Sequence, residues 1–131
     1  MKIVNLVTFF FNIIKYKFSY FEIKYCANIS HNKETELSGT ISNKKRVFIY
    51  GFGPYGAEFF LKFFDKYIIT GICDINYEKM DDYICNPNEI FHIKFDYIII
   101  TVMDNINRNN VIDFLKKNGV SENKILYLNY K

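Results

Sequence analysis

Four short apolar runs separated by helical patterns constrain the fold of this 131-residue chain more than any other feature. The runs cover residues 47–50, 68–73, 97–102 and 125–128, and each is nearly continuous in aliphatic or aromatic residues. A strand covered by helices on both faces has this composition, because neither face meets water. Strands that alternate with helices form βαβ units. The pattern predicts an α/β fold in three layers, with a parallel sheet of about four to five strands.

Two helical patterns lie between these runs. The first begins near Pro54, whose fixed φ suits the first turn of a helix. The second begins at Asp104 or Asn105, either of which can cap its N-terminus, and is closed by Asn118-Gly119, where glycine can adopt the left-handed conformation. Core positions recur every three or four residues: Ala57, Phe60, Leu61 and Phe64 in the first helix, and Val111, Phe114 and Leu115 in the second.

The segment "VFIYGFGPYG" places three of the chain's six glycines, Gly51, Gly53 and Gly56, in a G-x-G-x-x-G string. The string follows a predicted strand and opens a predicted helix, the context in which each glycine has a mechanical task. Gly51 permits the tight exit from the strand, Gly53 lets the backbone approach a pyrophosphate, and Gly56 lets the helix pack against the strand. The free N–H groups and positive dipole end of the helix favour an anion there.

An acidic residue follows the second apolar run, in "ITGICDIN". Asp74 lies 23 residues after Gly51, where a carboxylate can accept hydrogen bonds from both ribose hydroxyls of a nucleotide. A carboxylate repels a 2′-phosphate, so NAD-like ligands are favoured over NADP. The alternative is that Asp74 and Asn76 only start a turn, as Asp and Asn often do.

These motifs support a resemblance to a known family. Residues 46–128 resemble the small Rossmann-type, CoA-binding-like domains of bacterial polysaccharide and nucleotide-sugar biosynthesis proteins. The matching segments are "VFIYGFGPYG", "ITGICDIN", "CNPNEI", "FDYIIITV" and "LKKNGVSENKILYL". The resemblance implies a Rossmann-like fold and an NAD-like, CoA-like or nucleotide-sugar ligand over the C-terminal strand ends. The three cysteines form no disulfide framework, so we expect a cytoplasmic protein.

Motif and resemblance together give a set of expected ligand-binding residues. The set joins the glycine loop, the acidic turn and the end of the third clear strand: Gly51, Phe52, Gly53, Pro54, Tyr55, Gly56, Asp74, Asn76, Thr101, Met103 and Asp104. The expected ligand is an NAD-like dinucleotide or a nucleotide sugar.

The sequence divides into three regions. Residues 1–25 have polar side chains every three or four positions and apolar ones between them, which predicts an amphipathic helix. Residues 26–45 read as a polar linker, and residues 46–131 as the Rossmann-like domain. The uncharged stretch 3–14 is shorter than the roughly twenty residues of a membrane span. We expect the helix to pack on its own domain or on a second copy in a homo-oligomer such as a dimer, or to bind a partner enzyme, with contact to a membrane surface as the alternative.

Charge and cysteine content exclude other classes. Residues 46–131 carry ten basic and eleven acidic side chains, so they lack the clustered positive charge of nucleic-acid-binding proteins. Three cysteines and two histidines have spacings that fit neither a disulfide framework nor a zinc site. We expect no bound metal and no nucleic-acid partner.

No catalytic set is evident. Tyr127 and Lys131 have the Tyr-x-x-x-Lys spacing of short-chain dehydrogenases, but they lie at the end of the chain, where we interpret the spacing as coincidence. Ile49 occupies the position where methyltransferases that use S-adenosylmethionine usually carry an acid, which disfavours that class. Three hypotheses remain: a nucleotide-binding module of polysaccharide or sugar metabolism, a non-catalytic interaction protein, and a small sugar-modifying enzyme subunit.

Overall fold

A computed structural model gives the structure of this chain and describes residues 21–25 and 44–130. Most of the predicted N-terminal helix (1–20), most of the predicted linker (26–43) and residue 131 lie outside the described residues. The strands and helices follow in the order β1 (Phe21–Tyr25), β2 (Arg46–Tyr50), α1 (Pro54–Phe63), β3 (Ile68–Cys73), β4 (Ile84–Cys85), β5 (Tyr97–Ile100), α2 (Asn105–Lys117) and β6 (Ile125–Tyr130). Short 3₁₀ helices cover Tyr77–Lys79, Pro87–His92 and Glu122–Lys124.

The strands form one mixed sheet in the order β1-β6-β5-β2-β3-β4. Strands β2 to β6 are mutually parallel, and β1 pairs with β6 in the antiparallel direction. The carboxyl ends of β2, β3 and β5 therefore meet at one edge of the sheet. Within the described segments, no helix has the length and apolar character needed to cross a bilayer.

The two long helices cover opposite faces of the sheet. On one face, Val47 and Ile49 of β2 pack with Ala57, Phe59 and Phe63 of α1. On the other face, Phe48 and Tyr50 pack with Leu115 of α2. Because successive side chains of a strand point to opposite faces, a central strand covered on both must be apolar throughout. This requirement explains the continuous run "VFIY".

The predicted strands and helices around the sheet centre are confirmed. Strands β2, β3, β5 and β6 occupy the four apolar runs, and α1 begins at Pro54 as predicted. Helix α2 ends as predicted at Gly119, whose φ is +93°. There the N–H of Val120 donates to the carbonyl of Leu115 over 3.0 Å, and the N–H of Gly119 donates to that of Lys116 over 3.0 Å. This hydrogen-bond pair is the Schellman ending that glycine permits.

Two expectations about the sheet need correction. The predicted helix over residues 1–25 is wrong for its last five residues, which form β1. In "FEIKY" the apolar residues occur at every second position, which is the period of a strand. Pairing with β6 also supplies main-chain hydrogen-bond partners for an edge that would otherwise be open. The sheet accordingly has six strands and is mixed, where four to five parallel strands were expected.

Strand β4 was also missing from the prediction. It has only two residues, which pair with Ile72 and Cys73 of β3. A two-residue strand leaves no periodicity to detect. It directs the segment that begins at Asn86 past the carboxyl end of β3, and that segment becomes part of the site.

Candidate functional site

The loop after β2 is held tightly at its first glycine. Gly51 has a φ of +102°, a conformation that side chains rarely adopt. Its N–H donates to the carbonyl of Cys73 over 2.7 Å. Its carbonyl accepts the hydroxyl of Thr101 over 2.7 Å, and the same hydroxyl lies 3.1 Å from the carbonyl of Tyr50. The end of β2 is therefore fixed by both neighbouring strands.

The third glycine, Gly56, packs directly against the backbone of the first, Gly51. A Cβ placed on Gly56 would lie 2.2 Å from the carbonyl oxygen of Gly51 and 3.0 Å from the Thr101 hydroxyl oxygen. Such contacts with backbone are not tolerated, so the first turn of α1 can approach the strand only where residue 56 lacks a side chain. The packing task predicted for Gly56 is confirmed.

The middle glycine faces an open surface. Gly53 is exposed, and a Cβ built on it would have no heavy atom within 4 Å among the described residues. It is the N-cap residue of α1, with φ −80° and ψ −161°, and its carbonyl accepts the N–H of Ala57 over 3.1 Å. Glycine has no side chain to cap the helix, so the space over the first turn stays available for an external group.

The Asp74 carboxylate is held by two main-chain N–H groups. One carboxylate oxygen accepts the N–H of Phe52 over 2.8 Å, and the other accepts the N–H of Asn76 over 2.8 Å. The second bond is the expected turn, while the first ties the acid to the glycine loop. Only 9% of Asp74 is exposed. Because each carboxylate oxygen has further acceptor capacity, Asp74 can still accept a ligand hydroxyl.

A cavity of about 570 Å³ opens beside this acid, within the size range of small-molecule sites. It lies at the carboxyl ends of the strands, on the face covered by α2. The cavity is lined by Tyr50, Gly51, Asp74, Ile75, Tyr77, Asn86, Pro87, Asn88, Val102, Asn107, Asn110, Val111 and Phe114.

The cavity has an apolar floor, and its polar lining residues other than Asp74 are uncharged. Tyr50 and Phe114 belong to the core on the α2 face. On one wall, the side-chain amide of Asn86 donates to the hydroxyl of Tyr77 over 3.1 Å, and its oxygen accepts the N–H of Asn88 over 3.0 Å. Burial raises the pKa of the Tyr50 phenol to about 12, and the nearby Cys73 and Asp74 add to the shift. The phenol stays neutral at physiological pH.

The structure brings together only part of the expected binding set. Gly51 and Asp74 line the cavity. Thr101 stabilises the loop through its hydroxyl, which donates to the carbonyl of Gly51. The remaining residues have other positions: Gly53 and Pro54 at the exposed start of α1, Gly56 buried below it, Asn76 exposed in the acidic turn, and Phe52, Tyr55 and Met103 packed against the core on the α1 face. Asp104 caps α2 by accepting the N–H of Asn107 over 3.2 Å.

Most of the cavity wall was not predicted from the sequence. Asn107, Asn110, Val111 and Phe114 follow the spacing of one helix face, but only the two apolar members were assigned to it. The sequence feature that could have identified them is one face of α2, whose side chains are apolar at Val111 and Phe114 and carboxamides at Asn107 and Asn110, nearer the N-terminus. Tyr77 and Asn86 belong to a segment outside the strands and long helices, so no sequence periodicity predicted that they would form a wall of the cavity.

The other polar and reactive groups of the described chain show no metal or nucleophile site. Within residues 21–25 and 44–130, no group of three or more His, Cys, Asp or Glu side chains could hold a metal ion. Burial raises the pKa of the Cys73 thiol far above its usual range and that of Cys85 to about 11. Both thiols are therefore protonated and weakly nucleophilic at neutral pH.

Comparison of the chain with protein-family models, with curated proteins and with solved structures gave no match.

Proposed function

We propose that this protein is a nucleotide-binding module, which holds an NAD-like dinucleotide or a nucleotide sugar at the carboxyl ends of its parallel strands. The cysteine content leads us to propose a cytoplasmic location, and the sequence resemblance leads us to propose a role in bacterial surface-polysaccharide or sugar metabolism. The module delivers or senses the nucleotide for a partner protein. No reaction is assigned to it.

The strand order supports this function. Numbered from β2 along the chain, the parallel strands lie in the order 3-2-1-4-5, which is that of doubly wound nucleotide-binding folds. The order reverses between β2 and β5, and ligands of such sheets bind outside the carboxyl ends at the reversal point. Gly51 follows β2 and Thr101 follows β5, so the glycine loop stands at that point.

The observation that carries the proposal is the contrast among the three glycines. Gly51 and Gly56 are in contact with each other and with Thr101, whereas Gly53 faces open space. Packing alone explains the first two, but position 53 is an N-cap with an ordinary φ of −80°, where Ser, Thr, Asp or Asn would fit and would also cap the helix with a side chain. Close approach of a ligand phosphate to the backbone at the start of α1 supplies a reason for glycine there.

A thermal-shift panel tests the function directly. A ligand present at a hundred times its dissociation constant adds about 2.7 kcal/mol to the free energy of unfolding. The panel contains NAD, NADP, coenzyme A, UDP-glucose and S-adenosylmethionine. We expect NAD or UDP-glucose to raise the melting temperature. A panel without any shift would leave the nucleotide-binding proposal unsupported.

One observation favours a second candidate, the non-catalytic interaction protein. Both oxygens of Asp74 already accept main-chain N–H groups, so the loop and its acid form a satisfied unit without a ligand. In this account residues 1–20 mediate assembly with a second copy or a partner enzyme. Deleting them and measuring the molecular mass in solution tests assembly, and an unchanged mass would contradict it.

A further inference from the structure

The two-residue strand β4 places one cysteine directly beside another. Cys85 of β4 pairs in register with Cys73 of β3. Residues paired across neighbouring strands point to the same face of the sheet, and both cysteines pack in the core cluster on the α2 face. Neighbouring strands lie about 4.8 Å apart. This spacing falls within the Cα separations of roughly 4.4–6.8 Å that a disulfide can bridge.

The two thiols differ in their access to solvent. Cys73 is fully buried, whereas Cys85 is only partly buried. A soluble reagent can therefore reach the sulfur of Cys85 first. Cys73 can react only through its neighbour, because its own sulfur does not meet the solvent. An accessible thiol beside a buried one is the arrangement that thiol–disulfide exchange requires for two successive steps.

The segment between the two cysteines forms one wall of the cavity. Asp74, Ile75 and Tyr77 line the cavity, and Asn86 follows Cys85 directly. Strand β4 attaches this segment to β3 through two residue pairs. A covalent bond at the second of these pairs would restrict local opening of the wall, because it removes the conformations in which β4 leaves β3.

We propose that Cys73 and Cys85 are a reversible redox pair, which a soluble low-molecular-weight disulfide such as glutathione disulfide converts into one intramolecular disulfide that fixes this wall of the cavity. The Cys85 thiolate attacks one sulfur of the reagent, forms a mixed disulfide and releases one thiol. The Cys73 sulfur then attacks the sulfur of Cys85 and releases the second thiol. The two cysteines lose two electrons and two protons, which the two released thiols carry. The pair acts in this way whichever ligand the cavity takes.

Both thiols are free in the structure, which is the reduced state of the pair. Burial, followed by the charge and hydrogen bond of Glu89, raises the pKa of Cys85 to about 11. A small fraction of Cys85 is thiolate at neutral pH, so the exchange is slow and needs a sustained excess of the oxidising disulfide. Disulfides of cytosolic proteins are usually of this transient kind.

Trypsin separates the two cysteines, which makes the bond directly measurable. Cleavage after lysine places Cys73 in segment 67–79 and Cys85 in segment 80–94. The folded full chain is incubated with glutathione disulfide, alkylated, digested without reductant and analysed by mass spectrometry. We expect segment 67–79 linked to segment 80–94 as the main disulfide product, and dithiothreitol should remove the link. Absence of this product, or equal amounts of products that contain Cys26, would overturn the proposal.

Serine variants test the order of the two steps. Cys73→Ser should accumulate a mixed disulfide of glutathione on Cys85, because the second thiol is absent. Cys85→Ser should leave Cys73 unmodified, because the buried thiol does not meet the reagent. Both variants are first shown to unfold cooperatively in a thermal melt. Glutathione on Cys73 in a folded Cys85→Ser protein would contradict the role of Cys85 as the entry thiol.

Hydrogen exchange measures the consequence for the cavity. Amides of residues 74–86 should exchange at least roughly tenfold more slowly in the oxidised wild type than in the reduced wild type. Cys85→Ser treated with the same reagent is the control, and its exchange should be unchanged. Equal exchange in the oxidised and reduced wild type would overturn the claim that the bond fixes the wall.

Discussion

The hydroxyl of Thr101 at the end of β5 donates to the carbonyl oxygen of Gly51 over 2.7 Å, and this bond joins the strand ends on the two sides of the proposed ligand crevice. Thr101 is 4% exposed. The same Gly51 carbonyl limits how closely α1 approaches, since a Cβ at residue 56 would lie 2.2 Å away. One carbonyl group therefore sets the shape of the whole glycine loop.

Removing the Thr101 hydroxyl should loosen that loop. Thr101→Val keeps the shape of the side chain but leaves the buried carbonyl of Gly51 without its donor. We expect the free energy of unfolding to fall by about 1–3 kcal/mol. Thr101→Ser retains the hydroxyl and should lose less. Urea unfolding of the three proteins measures the difference, and equal stability of Val and Ser variants would show that the bond contributes nothing.

Alanine at Gly56 should cost much more stability than alanine at Gly53. Gly56→Ala forces a Cβ against backbone, which we expect to cost about 1–3 kcal/mol. Gly53→Ala meets no atom within 4 Å and has an ordinary φ; its smaller unfolded-state entropy and its weaker preference for the N-cap act in opposite directions, so the variant should stay within about 1 kcal/mol of the wild type. Thermal melts decide between these outcomes. A similar loss in both variants would mean that Gly53 is also a packing glycine.

Asp74→Asn should destabilise the protein without any ligand present. The carboxylate accepts from Phe52 and Asn76, whereas an amide presents one acceptor oxygen and one NH₂ group to the same two donors. We expect a loss of about 1–3 kcal/mol in the free energy of unfolding. Asp113→Asn on the exposed face of α2 is the control for the change in net charge. Equal unfolding midpoints for the two variants would contradict the role of Asp74 as a loop anchor.

The ion pair at the opposite end of the sheet should make stability depend on acid pH. The Arg46 guanidinium lies 3.2 Å from Asp96, and the backbone N–H of Arg46 donates to the same carboxylate over 2.7 Å. Hydrogen bonding to Arg46 holds the pKa of Asp96 below its ordinary value of 3.8. A lowered folded-state pKa stabilises the fold above the ordinary value, and this contribution is lost as pH falls through the lowered one.

Chemical unfolding of the wild type and Asp96→Asn measures this dependence. The wild type should be the more stable protein at pH 7, by a modest margin because the pair is partly exposed. The margin should shrink between pH 5 and pH 2, roughly the interval in which such a carboxyl is protonated. A constant margin across that range would show that the charge of Asp96 is irrelevant to folding.

The sequence was most informative where a strand is buried on both faces. "VFIY" and "YIII" consist of aliphatic and aromatic residues on both faces, so a strand between two helix layers was predictable for each. Strand β1 was missed because a 3.6-residue period and a two-residue period both fit its short sequence, and pairing with β6 decided between them. Strand β4 is defined by two residue pairs with β3, and such a contact between distant segments produces no periodic pattern in the local sequence.

The site was predictable to a smaller extent. The positions of the three glycines and Asp74 could be predicted because the G-x-G-x-x-G string and the acid 23 residues after Gly51 have the spacing of a known strand-loop-helix motif. Met103 was expected at the ligand but packs into the core on the α1 face, since its direction depends on how the backbone turns after β5. Asn107 and Asn110 acquire their place only when α2 lies across the strand ends.

The most direct test of the central claim is a nucleotide titration of Gly53→Val beside the wild type, using the nucleotide that gives the largest thermal shift. Because Gly53 faces open space with an ordinary φ, the valine variant should fold normally, with a melting temperature lowered by several degrees at most because valine is a poorer N-cap residue than glycine. Its branched side chain occupies the position proposed for the ligand phosphate, so we expect binding to weaken by at least roughly tenfold. Wild-type affinity in a normally folded Gly53→Val protein would contradict a phosphate site at the start of α1.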